Sequence, residues 1–180
     1  MSIDIMKNKR IIAILSLVAF FYIINADAHD GTVSISGIIQ DNTCEVASDS
    51  VIKIVDMGTL SVKQFSEKGV RSQAKPFSIN LVDCGPAASE ATVTFTGTPS
   101  DQEKGLYSVD PEADAGSGIA LGIYDSKGNL LPPDKPSEGI PLQGGEDSVE
   151  LKFSASYQSV VDDVTPGSAN VSVTFVVNYA

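Results

Sequence analysis

Few residues in this chain are of types that carry out chemistry. There is one histidine, His29, and there are two cysteines, Cys44 and Cys84. If processing made His29 the first residue, its amine and ring could chelate copper. A copper site of that kind needs a second histidine, which the chain lacks. A serine or cysteine nucleophile needs a histidine or lysine base held beside it, and no such grouping stands out. Two widely spaced cysteines and one histidine do not complete a tetrahedral zinc shell without carboxylates. The adjacent acids Glu146-Asp147 and Asp162-Asp163 have the residue type for glycoside hydrolysis, but in turn-like contexts they read as a solvated face. "DPEAD" at 110–114 is too irregular for a helix-flanked calcium loop. "NVS" at 170–172 fits a glycan acceptor pattern but lies in a predicted strand. No glycine-rich nucleotide loop is present. The expectation is a protein without a catalytic site, metal or organic cofactor.

The cysteines have a simpler use. "MKNKRIIAILSLVAFFYIINADAHD" has a basic start (Lys7, Lys9, Arg10), an apolar stretch from Ile11 to Ile24, and a small-x-small site at Ala26-Asp27-Ala28. Residues 1–28 therefore read as an export signal, with Met1 and Met6 both fitting as the initiator. The apolar run is shorter than the roughly 20 residues of a membrane-spanning helix. In an oxidising compartment two cysteines most simply form one disulfide, Cys44 to Cys84. On the chain-entropy model, closing that loop stabilises the fold by roughly 4 kcal/mol. The net charge of −11 argues against nucleic acid or an anionic membrane as partner.

Apolar alternation at period two recurs along the chain: "TVSISGII" (32–39), "VIKIVDMG" (51–58), "KPFSINLVDC" (75–84), "ATVTFTG" (91–97), "GIALGIYD" (118–125), "SVELKFSASY" (148–157) and the closing "NVSVTFVVNYA". Each pattern is that of a strand with one buried face. Turn-rich segments such as "CGPAAS", "DSKGN" and "LPPDKPSEG" separate them. "VKQFSEKGV" (62–70) is the one stretch expected to form a short helix or loop. Seven short strands without an amphipathic helix predict a single all-β domain, an immunoglobulin-like sandwich of two sheets.

The two ends carry the most information. In the closing segment Val171, Val173, Phe175, Val177 and Tyr179 share one face, while Ser172, Thr174 and Asn178 face the other way. Such a strand either sits inside a sheet or offers an edge to another chain. In "HDGTVSISGIIQDNTC" the residues Gly31, Val33, Ile35, Gly37 and Ile39 alternate on one face ahead of Cys44. That segment suits the first strand of its own sandwich, or an arm for a neighbour.

These features resemble the chaperone-usher pilus subunits of the type 1 fimbrial family, most of all the short minor or tip-adaptor pilins. The likeness runs through "DGTVSISGIIQDNTCEV", "KPFSINLVDC", "SGIALGIYDSKGNLL" and "TPGSANVSVTFVVNYA". Its most specific part is the tail, where Gly167 stands fourteen residues from the carboxyl end and Tyr179 is the penultimate aromatic. The "DPEADAGSG" loop matches no motif of the family.

The resemblance implies an incomplete immunoglobulin-like sandwich lacking its last strand and completed by a donor strand from another chain. It implies a donor-strand extension over 29–40 (Gly31, Val33, Ile35, Gly37, Ile39) and a pilin domain over 41–180. The groove edge, which the chaperone would occupy first, would be formed by Gly167, Val171, Val173, Phe175, Val177 and Tyr179. Implied partners are a periplasmic chaperone, an outer-membrane usher and neighbouring pilus subunits. The location would be the fimbrium at the cell surface, reached through the periplasm, with cell adhesion served through the fibre. The tip adhesins of this family carry an additional lectin domain, for which the segment after residue 28 has no room, so no direct sugar binding is expected. The competing expectation is a self-contained exported immunoglobulin-like binding domain that does not polymerise.

Overall fold

The computed structural model describes residues 34–39 and 41–180. The expected export signal, His29, Gly31 and Val33 lie outside the described residues. The chain divides into two units, Met1–Ile38 and Ile39–Ala180, and all described regular structure belongs to the second. In the first, Ser34 to Ile38 have no regular structure and are exposed.

Eight strands are present among the described residues: β1 Glu45–Val46, β2 Lys75–Val82, β3 Glu90–Thr96, β4 Tyr107–Ser108, β5 Ile119–Asp125, β6 Ile140–Pro141, β7 Ser148–Ser159 and β8 Thr174–Tyr179. They form two antiparallel sheets, one ordered β1-β2-β7-β5-β4 and one ordered β6-β3-β8. In the larger sheet β2 pairs β7 from Lys75↔Ala155 to Val82↔Ser148. In the smaller, β3 pairs β8 from Ala91↔Tyr179 to Thr96↔Thr174.

The sheets close on each other through the faces that alternation selects. Ile79 and Leu81 of β2, Ala91, Val93 and Phe95 of β3, and Leu151 and Phe153 of β7 are buried in one cluster. Phe95 stacks edge-on against Phe153 of the opposite sheet at 5.2 Å between centroids, a geometry that suits the ring quadrupoles. Tyr107, fully buried, donates its hydroxyl to the carbonyl of Leu131 at 3.0 Å, so no polar atom of its ring is left without a partner. Cys44 and Cys84 form a disulfide, tying the chain ahead of β1 to the end of β2.

The strands expected at 75–84, 91–97, 118–125 and 148–157 are present as β2, β3, β5 and β7. The closing strand is shorter than its pattern, with ladder pairing only from Thr174 onward. The strand expected at 51–58 does not form. A single helical turn, Ser48–Val51, occupies its beginning, and Lys53 to Leu60 run without regular structure. The physical reason is the absence of a ladder partner. No backbone–backbone hydrogen bond links residues 53–60 to any described residue, although Val55, Met57 and Leu60 still turn inward and pack on the core. Likewise the 34–39 part of "TVSISGII" is not in a strand. Within 62–70 only Val62–Gln64 is helical, as a 3-10 turn whose first free amide is capped by the Ser61 hydroxyl.

Candidate functional site

A groove of about 990 Å³, apolar along its floor and mixed at its lips, opens between the sheets in the second unit. Its floor is formed by core residues, the half-buried Phe77 and the buried Ile79, Phe95, Leu121, Ile123 and Tyr157. One lip is the Lys53 to Leu60 segment, and the other runs from Val164 to Phe175 into the start of β8. Among the described residues, β8 has β3 as its only strand neighbour. Both lips therefore border the groove with backbone groups that no described strand pairs.

Burial follows from that geometry. On β3 the inward residues Val93 and Phe95 are 0% and 4% exposed. One strand over, Val171, Val173, Phe175, Val177 and Tyr179 alternate correctly but are only half-buried, although they pack on the same core. The difference is what lies on the far side: β3 has a neighbour on each side and β8 has one.

The expected edge residues are only partly brought together. Val171, Val173 and Phe175 line the groove, whereas Val177 and Tyr179 lie beyond its lining. The Tyr179 hydroxyl instead donates to the Cys44 carbonyl at 3.0 Å, and burial pushes its phenol above the usual range, with that hydrogen bond opposing. Gly167 lines the groove where the lip passes the 114–116 loop backbone to backbone. A Cβ on it would sit 2.2 Å from the Gly116 nitrogen and 2.4 Å from the Asp114 carbonyl. Its glycine is thus required by close approach. The arm residues Ile35 and Ile39 are 93% and 102% exposed, Gly37 has open space where a Cβ would be, and Gly31 and Val33 are outside the described residues.

Two features of the site escape pattern reading. The Lys53–Leu60 lip looks like an ordinary strand in the sequence; the one available hint is Gly58, at φ +70°, which ends the alternation. Tyr157, in the middle of an ordinary alternating strand, lies on the groove floor and donates its hydroxyl to the Ala169 carbonyl, bracing the opposite lip from within. Of the acids considered for catalysis, Asp162 accepts a hydrogen bond from the Lys68 backbone N–H at 3.0 Å.

Two antiparallel sheets, a disulfide near one end and a groove beside the closing strand define an immunoglobulin-like sandwich. The model of the fimbrial protein family matches residues 33–180, and the chain belongs to that family. It is 41% identical over 171 residues to the uncharacterized fimbrial-like protein YcbV of Escherichia coli K12, covering 95% of this chain and 98% of that protein. It is 32% identical over 169 residues to long polar fimbria protein A of Salmonella typhimurium, covering 93% and 92%. A solved structure of a chaperone-usher pilus shares the fold, with a TM-score of 0.64 at 21% identity over 87% of this chain and 99% of that one.

Proposed function

We propose that this fimbrial protein builds its fibre by strand exchange: the groove accepts a donor strand from another polypeptide, and residues 29–40 supply such a strand to a neighbour. Complementation of pilins by a chaperone strand is an established example of strand addition. Here a periplasmic chaperone would fill the groove during export. At the outer-membrane usher the amino-terminal extension of the next subunit would replace it, and the fibre would serve adhesion at the cell surface. The observation that carries this reading is the half-buried inward face of Val171, Val173 and Phe175 beside an open apolar groove. A strand laid between the lips would cover that face and pair backbone groups that are otherwise left to water.

The arm has suitable side chains. Ile35 and Ile39 are exposed, and with Val33 they would bury three aliphatic groups at roughly 1.5 to 3 kcal/mol each, before the cost of ordering the arm. Gly31 and Gly37 would sit where the groove leaves little depth. An empty groove exposes apolar surface and an unpaired edge, which favours aggregation and supports the need for a chaperone.

The test is thermal unfolding of the chain lacking residues 29–40, with and without a synthetic peptide of residues 29–43. The expected result is a large rise in midpoint with slow peptide dissociation. An armless chain that unfolds cooperatively at high temperature by itself, and takes up no peptide, would overturn the proposal in favour of a self-contained domain.

A further inference from the structure

The acidic loop from Asp110 to Gly116 matches none of the motifs that carried the likeness in the sequence, and its contacts explain its composition. Ladder pairing of β8 begins only at Thr174, so the lip upstream of it lacks the support that β3 gives the rest. The loop takes that place. Ser172 donates its hydroxyl to Asp110 at 2.8 Å. The Asn170 amide donates to both Glu112 oxygens, at 3.0 and 3.2 Å. Ser168 donates to Glu112 at 2.9 Å and lies 3.3 Å from Asp114. Backbone bonds lie beneath: Asp110 N–H to the Asn170 carbonyl, Gly116 N–H to the Ser168 carbonyl and Ser168 N–H to the Asp114 carbonyl, each 2.8 Å.

The pattern is one of alternation. The side chains of 168, 170 and 172 bond to the loop, while those of Ala169, Val171 and Val173 pack on the core, and all six residues border the groove. Three neighbouring carboxylates are matched to hydroxyls and an amide, and none of them is in an ion pair with a described residue. Glu112 alone bonds two of the three lip side chains.

We propose that Glu112 is a positioning residue of the acceptor groove, holding the Ala169 to Val173 lip at the spacing an incoming strand needs to pair with it. The proposal rests on the strand-accepting reading above. A lip held in place by its outer polar residues leaves its inner edge free at Val171 and Val173, which make no backbone–backbone bond with a described residue, and an incoming strand then finds those groups already aligned, avoiding an ordering cost at the moment of binding.

The experiment measures how fast a fluorescent peptide of residues 29–43 is captured by the chain lacking residues 29–40, together with amide hydrogen exchange of that chain before peptide is added. Glu112→Ala is expected to slow capture about tenfold and to speed exchange at Asp110, Gly116 and Ser168, while amides of the β3–β8 ladder keep their protection. Glu112→Gln, which retains one carbonyl acceptor, is expected to recover most of the rate. An unchanged capture rate in Glu112→Ala overturns the proposal, as does exchange accelerated equally across the whole smaller sheet, which would mean general destabilisation. If the parent protein captures no peptide, the strand-accepting reading fails, and unchanged exchange at Ser168 in Glu112→Ala would separately refute the role in holding the lip.

Discussion

Tyr179 and Cys44 are joined across the sandwich: the phenol of the last strand donates to the carbonyl of a disulfide-bonded cysteine at 3.0 Å. The bond anchors the end of β8 to the chain ahead of β1, at the end of the strand away from the groove. Tyr179→Phe keeps the ring and removes one hydrogen bond, leaving the carbonyl to find another donor. The expected loss is about 1 kcal/mol, read from urea unfolding of the strand-complemented protein, with peptide capture unchanged because Tyr179 does not line the groove.

Tyr107 sets an alkaline limit. It is fully buried, and burial together with the charge of Asp134 pushes its phenol far above the ordinary value. The folded state therefore holds the proton more tightly than the unfolded chain, in which the phenol titrates near about 10. Stability from this group is complete below that pH and declines as pH rises above it toward the folded value. Unfolding midpoints between pH 9 and 12 are expected to fall in the parent and to fall less steeply in Tyr107→Phe, whose own cost at neutral pH is about 1 kcal/mol.

Gly167 has no room for a side chain. A methyl there would meet the Gly116 nitrogen and the Asp114 carbonyl well inside contact distance, and both obstacles are backbone. Gly167→Ala is expected to cost on the order of 2 kcal/mol or more and to slow peptide capture, since the lip and the 114–116 loop would be forced apart. A denaturation curve and a capture rate together check it; a neutral effect on both would show that the crossing relaxes freely.

Val173 separates the empty groove from the filled one. Half-buried at the lip, it faces a space still open to solvent. Val173→Lys is expected to change the stability of the unfilled chain by about 1 kcal/mol or less, because a lysine there keeps its ammonium in water. Peptide capture is expected to fall by about a hundredfold, because a seated strand would desolvate that charge. Isothermal titration with the arm peptide, beside thermal unfolding, distinguishes the two effects.

Much of the architecture was legible in the residues. Alternation located β2, β3, β5 and β7 to within about two residues at each end, and two cysteines behind an expected export signal pointed to the disulfide that the structure contains. Inward and outward faces of β8 also matched the pattern from Val171 to Tyr179. These are local properties: which side of a strand is apolar is written in every second residue.

What strands have beside them is not written there. "VIKIVDMG" alternates as "KPFSINLV" does, yet Lys75–Val82 pairs with β7 while Lys53 to Leu60 forms no ladder with any described residue. Gly167 is a glycine because another segment's backbone crosses it, and "DPEAD" is acidic on a side where three polar lip residues need acceptors. Each depends on partners more than 50 residues away in sequence for the loop. The groove lies where β8 has no second strand beside it among the described residues. Periodicity encodes a face through the residue's own side chain; hydrogen-bonded neighbours and close backbone crossings arise only when distant segments are folded against one another.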